Sequence, residues 1–91
     1  MRRDAKVDAN QAEIVEALRD VGCIVEHLHM IGRGCPDILV GRHGYNYLLE
    51  IKSEKGALTP AEAEWHGLWR GQVTIVRTID EALDAVGAFP F

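Results

Sequence analysis

The stretch 37–52 constrains this chain most, because two short apolar runs there flank a turn. Asp37-Ile38-Leu39-Val40-Gly41 is one run, and 46–52 is the other. Arg42-His43-Gly44-Tyr45 between them reverses the chain. The first run is apolar almost throughout, as expected of a central strand. Asp37 stands five residues before Arg42, and Glu50 five after Tyr45. Antiparallel pairing about the turn therefore brings the two acids together at its open end. Residues i and i+2 of a strand share a face. Glu50 and Lys52 are thus neighbours, with Ile51 directed the other way into a core. The pattern does not separate an isolated hairpin from part of a meander.

The rest of the chain supplies helices and two more strands. Asp8 and Gln11 have the spacing of a capping box. Ile14, Val15, Leu18 and Val21 then recur at helical spacing up to Gly22, which predicts a helix over 9–21. A strand is expected over 24–29, followed by the loop Gly32-Arg33-Gly34-Cys35-Pro36. Thr59-Pro60-Ala61-Glu62 starts a second helix, with Thr as cap and Glu closing the box. Trp65, Leu68 and Trp69 give that helix an apolar face, and Gly71 ends it. A fourth strand is expected over 73–77. A last short helix opens at Thr78 and holds Leu83 and Val86 before Gly87 and the apolar tail Ala88-Phe89-Pro90-Phe91. The order αβββαβα predicts a single α/β domain, with a mixed four-stranded sheet flanked by helices.

Composition narrows the class. The chain has 91 residues, 47% of them apolar and 26% charged, which suits one globular domain. No apolar run approaches the roughly 18 residues of a membrane span. The basic start Met1-Arg2-Arg3-Asp4-Ala5-Lys6 has no apolar stretch after it, so a soluble intracellular protein is expected. Cys23 and Cys35 form no CxxC pair and read as small apolar residues, not as a disulfide. The net charge of −4 argues against a broadly basic nucleic-acid surface. However, the segment 27–55 carries four Lys or Arg against three Asp or Glu, and a bound cation would neutralise two of those acids. His27, His29, His43 and Cys35 match no compact zinc spacing.

Two carboxylates beside a main-chain carbonyl make a hard-oxygen site suited to Mg²⁺ or Mn²⁺. Asp37 and Glu50 are the expected ligands, with the Ile51 carbonyl as the third. Lys52 would position an attacking water or stabilise charge on a phosphate. The competing reading, an idle Glu50–Lys52 surface pair worth under about 1 kcal/mol, fits poorly with the apolar residues around it. Arg33 and Gly34 in the glycine-rich loop, and Ser53 and Lys55 beyond the third strand, are candidate DNA contacts. Trp65 and Trp69, four apart, read as core or subunit interface before they read as a base-stacking surface.

Pro36-Asp37 and Glu50-Ile51-Lys52 resemble the PD…(D/E)XK motif of the PD-(D/E)XK nuclease superfamily, and the order αβββαβ is similar to its restriction-endonuclease-like core. Gly34-Cys35-Pro36-Asp37-Ile38-Leu39-Val40, Leu49-Glu50-Ile51-Lys52, Leu58-Thr59-Pro60 before a helix with Trp65-His66, and Val73-Thr74-Ile75-Val76 resemble a stand-alone VRR-Nuc domain, the virus-type replication-repair branch. The resemblance implies a Mg²⁺- or Mn²⁺-dependent endodeoxyribonuclease acting on four-way junctions or flaps. It also implies a homodimer, and a place in the cytoplasm of a bacterium or of a virus-infected cell. The superfamily often completes its site with a Glu on the first helix. Here Gln11 stands there, with Glu13 two residues on, so one metal would be held more firmly than two. Relatives also often carry Gln where this chain has Glu62. With Gln11 neutral and the chain acidic, the alternative is a catalytically weak DNA-binding or assembly module on the same fold.

Overall fold

The computed structural model describes residues 9–88, so the expected Asp8 cap, the basic stretch 1–6 and the tail 89–91 lie outside the described residues. The elements are α1 (Gln11–Asp20), β1 (Ile24–His27), β2 (Ile38–Arg42), β3 (Tyr45–Ile51), α2 (Pro60–Leu68), β4 (Thr74–Val76) and α3 (Ile79–Ala85). The expected αβββαβα order is observed. The strands lie in the order β1-β2-β3-β4. β1, β2 and β3 form an antiparallel meander, which resolves the choice the sequence left open, and α2 carries the chain across to β4, parallel to β3. The sheet is therefore mixed.

The β2–β3 turn fixes the register on which the rest depends. Its two central residues, His43 and Gly44, have φ of 51° and 85°, and Arg42 pairs with Tyr45. A two-residue connection with both residues left-handed matches the twist of its strands. Pairing then runs without slippage to Ile38 opposite Leu49.

One face of the sheet makes the core. Val25, Ile38, Val40, Leu49, Ile51 and Val76 are buried with Ile14, Val15 and Leu18 of α1 and Ala82 and Val86 of α3. Each large aliphatic among them contributes about 1.5–3 kcal/mol by burial. α1 ends where the sequence expects: Cys23 N–H donates to Leu18 O and Gly22 N–H to Arg19 O, with Gly22 at φ 94°. Such a double bond closes a helix around a left-handed residue.

α2 departs from expectation. Its start is as predicted: Glu62 N–H donates to Thr59 Oγ1, and Thr59 N–H to Glu62 Oε1. Its expected apolar face is not in the core, however, and none of its residues is buried. Leu68 is 69% exposed and Trp69 42%. The reason lies beneath the helix. The second face of the sheet presents Glu50 and Lys52 there, and α2 meets those polar groups rather than aliphatic ones.

Candidate active site

Asp37 is held at the mouth of the hairpin by its own backbone. Its N–H donates to Leu49 O at 3.2 Å, and its carbonyl accepts from Leu28 N–H at 2.9 Å. The paired register ends at Ile38–Leu49, and Asp37 follows at the open end of the hairpin, beside Glu50. Its Oδ2 accepts from Ile51 N–H at 2.7 Å, a short charge-assisted bond that turns the carboxylate toward β3. A strand residue directs its N–H and C=O to the same side, so the Ile51 carbonyl also lies on the Asp37 side.

Glu50 points away from the core yet is only 1% exposed. Its side chain hydrogen-bonds that of Asp37, and His66 Nε2 of α2 stands 3.2 Å from its Oε1. Burial, then the hydrogen bond and charge of Asp37, push the Glu50 carboxyl up to about 9. Burial raises Asp37 as well, against the opposing bond from Ile51. Two carboxyls side by side, one buried and one partly buried, resist joint ionisation unless a cation joins them.

Lys52 Nζ pairs with Glu62 Oε1 at 2.7 Å. Burial raises the Glu62 carboxyl, but bonds from Lys52 and from Thr59 N–H outweigh it and hold the group below its usual range. Glu62 therefore closes its capping box, as the sequence indicates, and also tethers α2 to β3. Cys35 is partly buried beside the acids. Burial first, then the charges of Glu50 and Asp37, raise its thiol and keep it protonated.

The structure thus gathers Asp37, Glu50, Ile51 and Lys52. Gln11 is buried at the start of α1, its Nε2 3.4 Å from His27 Nδ1 on β1. Its neighbour Asn10 donates through Nδ2 to Lys52 O at 3.1 Å and Arg77 O at 2.9 Å, which pins α1 to the ends of β3 and β4. Arg33 lies exposed in the loop before Asp37, with φ 58°. Gly34, at φ 82°, abuts the Ala61 carbonyl in the first turn of α2, where a Cβ would collide. Ser53 and Lys55 are exposed beyond β3, and the Ser53 carbonyl accepts from Arg77 Nη1 at 2.7 Å. His66 is the residue sequence reasoning missed. Its signal was there, since Glu62 and His66 stand four apart and share a helix face.

The donors suit a hard divalent cation, being carboxylate and carbonyl oxygens. Among the described residues no three His, Cys, Asp or Glu cluster as a metal cage. A carboxylate pair fits Mg²⁺, which keeps several waters and takes one or two carboxylates. Among the same residues no helix is long and apolar enough to cross a membrane.

The sequence matches no protein-family model and no curated protein. A solved structure described as a VRR_NUC domain superposes on 91% of this chain and on all of its own, with a TM-score of 0.68 and 20% identity. The chain has the fold of a VRR_NUC domain. The gathered acids and lysine lie at the open end of the β2–β3 hairpin of that fold.

Proposed function

We propose that this protein is a Mg²⁺- or Mn²⁺-dependent endonuclease that hydrolyses phosphodiester bonds in DNA, selective for branched substrates such as flaps or four-way junctions. The observation that carries the reading is the buried Glu50 beside the partly buried Asp37, with Lys52 two residues on. Burying an acid such as Glu50 is costly, and a cation between it and Asp37 would offset that cost. Asp37, Glu50 and the Ile51 carbonyl would hold the metal, which when bound polarises the phosphate and acidifies a water. Lys52 brings an ammonium to the rim of the pair, suited to orienting water or meeting charge on the phosphate. Release of Lys52 from Glu62 would accompany substrate binding. Arg33, Gly34, Ser53 and Lys55 would contact the DNA backbone.

Flap, four-way junction and plain duplex DNA incubated with protein in Mg²⁺ or Mn²⁺ test the reading. Cutting of a branched substrate, lost in Lys52→Ala and Glu50→Ala, is expected. No cutting of any, or equal cutting by Lys52→Ala, refutes it.

A second reading, a DNA-binding or assembly module with little turnover, draws on Gln11. That side chain is neutral and engaged with His27. Binding without metal-dependent cleavage would favour it, and robust turnover lost in Glu50→Ala would exclude it.

A further inference from the structure

α2 carries two functional faces. Glu62 and His66 turn toward Lys52 and Glu50. Ala61, Glu64, Trp65 and Leu68 recur at i, i+3, i+4 and i+7, and form one wall of an open groove of about 550 Å³. Ile31, Gly32 and Arg33 form the other. The Trp65 ring stacks on Trp69 with centroids 4.6 Å apart and planes 22° apart, and is only partly covered. The groove thus offers an aromatic wall, the cationic Arg33 and the acceptor Glu64. A nucleotide presents the complements: a π face, a phosphate and exocyclic N–H donors.

The aromatic wall reaches toward the candidate active site: the Trp65 ring meets that of His66 edge-on with centroids 5.8 Å apart, and His66 Nε2 stands 3.2 Å from Glu50 Oε1. Arg33 lies four residues before Asp37 in the chain. A strand with its phosphate at Asp37 and Glu50 would leave its neighbouring nucleotide beside this groove. A base within a duplex has both faces occupied by its own stack, whereas an unpaired base has a face to offer an aromatic ring.

We infer that this groove is a subsite for one unpaired nucleotide flanking the bond to be cut, its base against Trp65 and its phosphate on Arg33. The inference rests on the nuclease reading of the adjacent acids and deepens it, because it would make selectivity for branched DNA a matter of base access.

The test uses the full chain in Ca²⁺, a hard cation for the same oxygens, with gels confirming intact strands. The probe is a flap oligonucleotide with 2-aminopurine at the first unpaired position, against a duplex with it paired. The expected result is a fluorescence change on binding the flap alone. Trp65→Ala should weaken flap binding about tenfold, within the range for loss of one base–aromatic stack, and leave duplex binding unchanged. Trp65→Phe should restore most of the affinity, which guards against misfolding of the Ala variant. Equal flap affinity for wild type and Trp65→Ala, or equal loss on flap and duplex, overturns the subsite. So does a fall in solution mass in Trp65→Ala, which would make the groove a seat for a second copy. A parallel Mg²⁺ cleavage arm separates the two readings. Cutting that is indifferent to Trp65 removes the subsite and leaves the nuclease reading, whereas Trp65-dependent flap binding without cutting removes the nuclease reading and leaves the groove a binding site for an unpaired base, no longer one that flanks a cut.

Discussion

Glu50 sits between two titratable side chains, with Asp37 on one side and His66 on the other. His66 is a positioning residue in this arrangement: it touches a proposed metal ligand and not the phosphate. Partners that orient metal ligands typically change metal affinity by about 10–100-fold when removed. His66→Ala should therefore raise the Mg²⁺ concentration needed for half-maximal cleavage by about that factor, with partial rescue by His66→Gln. An unchanged metal titration curve would remove His66 from the site. The acid pair also makes a prediction for the metal-free protein. The folded Glu50 carboxyl sits near 9, well above its ordinary 4.5, so the folded state holds a proton that the unfolded chain has lost between those values. This contribution to stability is full below about pH 4.5 and fades as pH rises toward 9. In chelator, the thermal midpoint should fall across that window. Glu50→Gln should flatten the fall, and Mg²⁺ or Mn²⁺ should stabilise more at pH 9 than at pH 5. A flat profile for wild type would contradict a buried Glu50 carboxyl beside Asp37. Asp37, Glu50 and Lys52 were legible in the sequence because strand periodicity and a short turn fix which residues meet. His66 was less so, because its partner is set by how α2 crosses the sheet.

At the scale of elements, the hairpin and α2 differ in how they are held. The β2–β3 register follows from local turn chemistry and core alternation, and both can be read from the chain. α2 buries none of its residues and is seated by the Lys52–Glu62 pair, the His66–Glu50 contact and the approach of Gly34 to Ala61. Its capping box was legible, since Thr59-Pro60-Ala61-Glu62 encodes it locally. Its burial was not, because Trp65, Leu68 and Trp69 have the spacing of a core face while the surface beneath is polar. Gly34→Ala tests the seating. The new Cβ meets the Ala61 carbonyl, and φ of 82° adds strain for any L side chain of about 1–3 kcal/mol. Because Gly34 lies outside the core cluster, the expected outcome is faster amide exchange over 60–68 with slow exchange retained in α1 and β3, and a marked loss of cleavage. Protection of 60–68 equal to wild type would show that Gly34 does not seat the helix. By contrast, Leu18→Ala should cost about 2–5 kcal/mol of global stability, measured by denaturant melting, because that side chain is fully enclosed.

For the whole molecule, size and surface raise the question of a partner. A chain this short buries only about 60% of the surface it would expose unfolded, so its single core is modest. The face of the sheet opposite that core is covered by α2 only near the acids. On that face Ile24 of β1 is 68% exposed and Ile75 of β4, the strand partner of Glu50, 37%, with Leu39 and Leu48 half-buried between them. Such a face is a candidate contact for the homodimer that the resemblance implies. A second copy is the occupant the proposed homodimer supplies, and two-fold pairing would present two sites to a symmetric junction. The solution mass at micromolar concentration should therefore be about twice the 10.1 kDa of one chain. Ile24→Glu, on the edge strand far from Glu50, should return it to that of one chain while Trp65→Ala leaves it unchanged, since the Trp65 groove is assigned to DNA. The monomeric variant should still cut a flap, which needs one active site, but should nick a four-way junction one strand at a time rather than resolve it in a paired event. A mass near one chain for the wild type would remove the dimer and, with it, the argument for symmetric junctions, leaving flaps as the substrate the single site fits.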